Sequence, residues 1–132
     1  MSDIKVVNYI QADGSDPFGQ WFNGLEAQAA AKVRTAIARL ELGNTSNVKR
    51  LGTIAEFKID WGPGYRLYLG RDGDKLILLL AGGTKKTQDK DIKYAEELFA
   101  EYKKRKAEAV RKEAEAKERV AKAARATGKS KR

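Results

Sequence analysis

Apolar positions recur along the chain with two periods, and each change of period marks an element. Ile4 to Ile10 is rich in β-branched and aromatic residues and predicts a first strand. Ala12 to Ser15 is a turn cluster. Asp16-Pro17 then offers an N-cap and a first helical residue. Phe18, Trp21, Phe22 and Leu25 follow at helical spacing, with Gly24 as a break. A second helix is predicted over about Glu26–Leu42. Its stripe is Ala29, Val33, Ala36, Ile37 and Leu40, and Gly43-Asn44 closes it. Thr45 to Gly52 reads as a loop or short extended stretch that carries Lys49-Arg50.

From Glu56 the period drops to two. Glu56–Trp61 and Tyr65–Leu69 alternate, and Leu76–Ala81 is apolar throughout, as in a central strand covered on both faces. A three-residue loop at Gly62-Pro63-Gly64 puts Asp60 opposite Arg66 and Lys58 opposite Tyr68. A two-residue turn at Asp72-Gly73 puts Leu76, Leu78 and Leu80 on the apolar face with Phe57, Ile59 and Leu67. Ile77 and Leu79 then join Lys58, Arg66 and Tyr68 on the polar face. Gly82-Gly83 predicts a flexible break. Thr87 or Asp89 is the candidate cap of a third helix, with Ile92, Ala95, Leu98 and Phe99 as its buried stripe. The order βααβββα is an α+β fold: two helices on one sheet face and a long C-terminal helix.

Beyond Tyr102 the chain is mostly Ala, Lys, Glu and Arg, with pairs such as Glu108–Lys112 and Glu115–Arg119 in favourable order. It predicts a solvated helix in exchange with coil, ending in a disordered 127–132. The 132 residues therefore divide into a domain over 1–102 and a basic tail over 103–132. The formal charge of +9 sits largely in that tail. Residues 1–100 carry 14 Lys/Arg against 13 Asp/Glu, and residues 101–132 carry 13 against 5. A polyanion partner fits this charge. Without cysteine there is no disulfide or thiolate metal site, and without histidine the commonest acid/base group is missing. No signal peptide or spanning apolar run is present, so the expectation is a cytoplasmic protein with no membrane partner.

Gly62-Pro63-Gly64-Tyr65-Arg66, the apolar strand after it, Gly82-Gly83-Thr84-Lys85-Lys86-Thr87-Gln88 and Asp91-Ile92 resemble the RelE/ParE superfamily of toxin–antitoxin toxins. The nearest likeness is to its HigB-like addiction module killer subgroup. Asp16-Pro17-Phe18, Trp21-Phe22 and the run from Gly52 to Lys58 fit it too, so the resemblance spans about residues 4–102. It implies a small antiparallel sheet with helices on one side. It also implies a metal-independent, cofactor-free endoribonuclease that cuts mRNA on the ribosome and blocks translation. The implied partners are a helix-turn-helix HigA-like antitoxin and, through it only, operator DNA. Two alternatives stay open: a noncatalytic ParE-like inhibitor of DNA gyrase, and an inactive antitoxin-binding regulatory domain.

Metal-free RNA cleavage needs a base for the 2′-hydroxyl, an acid for the leaving oxygen and positive charge at the phosphorane. The catalytic candidates are Arg66, Lys85, Lys86, Lys58, Tyr68 and Asp91. Arg66 suits bidentate phosphate binding; its alternative is a surface cation paired with Asp60. Lys85 and Lys86 are phosphate ligands or solvated loop residues. Lys58 is a base or an exposed strand residue, and Tyr68 a base-stacking or proton-relaying phenol or a cross-strand packing residue. Asp91 is an acid/base or a carboxylate favoured in a helix's first turn. Candidate RNA contacts are Arg66, Lys85, Lys86, Gln88, Lys49 and Arg50. Trp21, Phe22, Trp61 and Tyr65 read as core. For the tail the alternatives are a solubilising helix and a nonspecific contact with rRNA or DNA.

Overall fold

The computed structural model describes residues 3–130, with side chains as far as Thr127. Its order is β1 (Lys5–Asn8), α1 (Pro17–Asn23), α2 (Ala27–Glu41), β2 (Val48–Leu51), β3 (Ile54–Ile59), β4 (Tyr65–Asp72), β5 (Leu76–Thr84) and α3 (Gln88–Ser130). The fold is α+β, with two departures from the expected form. Lys49-Arg50 lies in a strand, β2, which makes the sheet five-stranded in the order β1-β5-β4-β3-β2. The sheet is mixed rather than antiparallel, because β1 runs parallel to β5 while the other pairs are antiparallel. A parallel pair needs a long crossover, and α1, α2 and the meander supply it.

The helix starts follow the local chemistry. Asp16 caps α1 by accepting from the Gly19 amide at 2.9 Å, and Pro17 occupies its first turn. Asn8 donates to both Asp16 carboxylate oxygens at 3.0 and 3.1 Å, which ties the end of β1 to that cap. Helix α2 ends where Gly43, at φ 80°, sends its amide to the Leu40 carbonyl. The stripe Ala29, Val33, Ala36 and Leu40 is buried, and Phe18, Val33 and Leu40 join Phe57, Leu67, Leu69, Ile77 and Leu79 in one core. Trp21, Phe22, Trp61 and Tyr65 pack at its margin, as expected.

Both turns of the meander are longer than expected. The β3–β4 link runs from Asp60 to Gly64, so Lys58 faces Arg66 and Glu56 faces Tyr68. The pairing moves by two residues, which leaves every side chain on its expected face. The β4–β5 link has three residues, Gly73 to Lys75, and this odd shift inverts the first half of β5. Ile77 and Leu79 therefore enter the helix-side core, and Leu78 lies on the opposite face; the expected placing of Leu76 and Leu78 on the apolar face is corrected, while Leu80, between the paired Leu79 and Ala81, is fully buried. A bulge between Tyr68 and Leu69 then restores the register of the second half.

The opposite face is covered as well. The side chain of Phe99 lies against Gly70, and Asp91 against Gly83, both on the side that carries Arg66 and Tyr68. Ala95, Leu98 and Phe99 are buried there as the α3 stripe, with Ile92 half-buried. Gly82 and Gly83 are not a flexible break but paired strand positions. A Cβ on Gly82 would stand 2.2 Å from the Trp21 ring, and one on Gly70 would stand 2.5 Å from Phe99. Helix α3 begins at Gln88, directly after Thr87, one of the two expected caps; a 3₁₀ turn over Lys85–Thr87 precedes it, capped by Thr84, whose amide donates to Thr87 Oγ1 at 3.4 Å.

The chain divides into compact units after Ala100. In the second unit the helix continues to Ser130, past Thr127 where disorder is expected; Lys131 and Arg132 lie outside the described residues. Ion pairs within it include Arg111–Glu115, Lys117–Glu113 and Arg125–Glu118. Glu115 thus engages Arg111 rather than Arg119.

Gly82→Ala and Gly70→Ala should each lower stability by about 1–3 kcal/mol, the cost of forcing a methyl into a filled contact. Urea unfolding measures it, with Gln20→Ala on the exposed side of α1 as a control that changes little.

Candidate functional site

The candidate residues meet where the turn after β3 touches the turn after β5. Gly62 and Gly64 have φ of 58° and 77°, the left-handed region that a side chain resists. This conformation folds the chain back so that one carbonyl, that of Gly64, accepts two donors. The Lys85 amide reaches it at 3.1 Å and Arg66 Nη1 at 3.3 Å. Two segments some twenty residues apart in sequence are thereby joined at one atom.

Arg66 is 6% exposed, so it is not a surface cation, and its partner is not Asp60. Its Nε lies 3.5 Å from Oε2 of Glu56, itself 6% exposed, on the neighbouring strand. At that separation the two atoms attract as charges but make no hydrogen bond. Buried polar atoms without hydrogen bonds are rare, and here three cluster: Glu56 Oε2, Arg66 Nε and the Tyr68 hydroxyl. Tyr68 stands directly across from Glu56 and is fully buried. Burial, reinforced by the charges of Glu56 and Asp91, pushes its phenol up from 10.0 to about 12. Tyr68 therefore remains a protonated donor near neutrality, and in this conformation it presents no ring face for base stacking.

Asp91 joins the group from α3. Its carboxylate accepts from the Thr87 hydroxyl and lies over Gly83, which pairs with Arg66. Lys58 is exposed and directly opposite Arg66, and Lys49 is opposite Glu56. Lys49, Glu56, Lys58 and Asp60 line a shallow cleft of about 340 Å³. Arg66, Lys58, Tyr68, Asp91 and Lys49 thus share one side of the sheet, and the backbone of Lys85, whose side chain is exposed, meets Arg66 at the Gly64 carbonyl. Arg50 is not among them: it alternates to the other face and lines a separate cleft of about 330 Å³ with Arg71 and Asp74. Lys86 is exposed on the 3₁₀ turn, and Gln88 is half-buried at the first residue of α3. Among the described residues no group of three or more His, Cys, Asp or Glu is placed to hold a metal ion, and no helix is long and apolar enough to cross a membrane.

Glu56 is the residue that sequence reasoning missed. In sequence it is one of several charged strand residues. Only a pairing that brings it beside Arg66 and across from Tyr68 separates it from the rest.

No family model matches the chain. Over 94 residues it is 43% identical to an uncharacterized protein of Haemophilus influenzae, a match covering 70% of this chain and 95% of the relative. The two chains belong to one family. The relative is thus about 99 residues long, close to the length of the first unit here, Met1–Ala100.

Glu56→Gln should destabilise the fold by about 3–5 kcal/mol, because it strands a buried guanidinium. Glu56→Leu with Arg66→Met should recover most of that loss in urea unfolding. A second expectation concerns pH. The folded-state pKa of Tyr68 lies above its unfolded value, so its contribution is whole below pH 10.0 and is lost as pH rises towards about 12. Stability should fall over that window, and Tyr68→Phe should lessen the fall.

Proposed function

We propose that this chain is the toxin of a type II toxin–antitoxin module and that it cleaves mRNA on the ribosome. The observation that carries the reading is the junction at the Gly64 carbonyl. It joins the Arg66 guanidinium and the Lys85 backbone at one atom, with Lys58 across the strand, and both joined segments are those that resemble RelE/ParE toxins of the HigB-like subgroup. Cleavage by attack of a 2′-hydroxyl on the adjacent phosphate creates negative charge on the phosphorane. Arg66 supplies a planar fork for two of its oxygens. A phosphate competes with Glu56 for that guanidinium, which the long Nε–Oε2 separation leaves incompletely bonded. Lys58 and Lys85 hold the flanking phosphates. Asp91 or the displaced Glu56 takes the 2′-proton, and the protonated Tyr68 phenol donates towards the leaving oxygen. The protein works in the cytoplasm, and a helix-turn-helix antitoxin restrains it and carries it to operator DNA.

The burial of Arg66 and Tyr68 favours a second reading, a protein that acts by binding gyrase without chemistry. Primer extension on total mRNA after induction separates the two. Cuts inside translated frames support the nuclease. Intact transcripts with a DNA-damage response support the gyrase inhibitor, and the absence of both cuts and damage response supports a regulatory domain.

Lys58→Gln changes an exposed side chain and should fold normally, yet cut mRNA roughly 10²-fold more slowly. The paired change Glu56→Gln with Arg66→Gln removes both buried charges together and should abolish growth arrest. Full toxicity in that pair would remove Arg66 from the site.

A further inference from the structure

The helix over residues 101–130 belongs to a structural unit with little to bury. Its apolar residues larger than alanine are Tyr102, Val110 and Val120, and the valines are 59% and 69% exposed. At 1.5 Å per residue it is about 45 Å long. Its charge is as lopsided as its apolar content is thin: residues 101–132 hold 13 Lys/Arg against 5 Asp/Glu, whereas residues 1–100 are nearly balanced. Here Glu113, Glu115 and Glu118 are taken by Lys117, Arg111 and Arg125. Lys104, Lys112, Arg119 and Lys122 are in no ion pair within 4.0 Å among the described residues. On a helix of 3.6 residues per turn these four fall within about 80° of one another. Glu108 and Glu115 share that sector, and Glu115 faces Arg111. The relative, at about 99 residues, is some 33 residues shorter than this chain.

We propose that this helix is a nucleic-acid-binding appendage that holds the sugar–phosphate backbone by charge, without reading sequence. Two valines do not make the broad apolar face that lets a helix lie in a lipid interface. The unit has one aromatic ring, Tyr102, so stacking on bases is not its means of binding either. What remains is a row of cations on a stiff, slender rod, and phosphate contacts of that kind supply affinity with little discrimination. The proposal stands apart from the sheet site, since it needs no chemistry there.

The test uses the full chain and its variant K104Q/K112Q/R119Q/K122Q, in which glutamine keeps the helix propensity. Circular dichroism first checks that helicity is retained. Equilibrium binding to an RNA duplex and to a DNA duplex is then measured between about 50 and 200 mM salt. The wild type should bind at least one of them with affinity falling steeply as salt rises. The variant should lose roughly 3–4 from the magnitude of the log–log slope on the DNA duplex, about 0.9 for each of the four phosphate contacts removed. RNA bound more tightly than DNA assigns the appendage to RNA, and the reverse order assigns it to DNA. An unchanged slope in a helical variant overturns the proposal, as does tighter binding to acidic phospholipid vesicles than to either duplex. Cleavage plays no part in the readout, so failure here leaves the reading of the sheet site intact, and Arg66 variants test that reading separately.

Discussion

The arrangement depends on how closely other elements approach β5. It is the second strand of the sheet and pairs with β1 on one side and β4 on the other. Near its end two successive residues lack side chains, and each bare position admits a group from a different layer. Trp21 of α1 presses on Gly82 from one face, and Asp91 of α3 presses on Gly83 from the other. Gly70 on β4 repeats the device beneath Phe99. Packed interiors tolerate little extra volume, so these three glycines set the distance of both helical layers from the sheet. Asp91 reaches the neighbourhood of Arg66 and Tyr68 only because the backbone beneath it is bare.

The same closeness accounts for the electrostatics of the candidate site. A sheet face open to water would leave Glu56, Arg66 and Tyr68 hydrated, and their mutual attraction would be weak. Beneath α3 the carboxylate and guanidinium are almost wholly withdrawn from solvent yet remain incompletely hydrogen-bonded. Such a pair contributes little net stability, because desolvation offsets most of the attraction. What it does provide is a guanidinium held at a defined place beside the Gly64 turn, with a bonding position that a stronger anion can fill.

Much of this is legible in the amino-acid sequence. Asp16-Pro17, the α2 stripe with Gly43, and the period-two runs each specify an element through interactions between near neighbours. The faces of β3 and β4 were also legible, because the two-residue error in their pairing preserves parity. The faces of β5 were not. A three-residue link and a bulge decide them, and both depend on how the strand fits α1 and α3 rather than on its own apolar run. Strand β2 was legible only as a loop or short extended stretch, for a related reason: its four residues, Val48–Leu51, carry two adjacent cations and have no clear alternation.

The amino-acid order by itself determined the α+β class, the helix boundaries set by caps, the charge imbalance between domain and tail, and which residues carry chemistry-bearing groups. Those features arise from contacts within a few positions of the chain or from simple counting. Tertiary structure alone decided that Lys49 and Arg50 part company, that Arg66 is buried against Glu56 rather than exposed beside Asp60, and that Tyr68 is sealed in as a reluctant acid. Each of these depends on pairing register and on which layer covers which face, and a shift of one residue or one helix would reverse it.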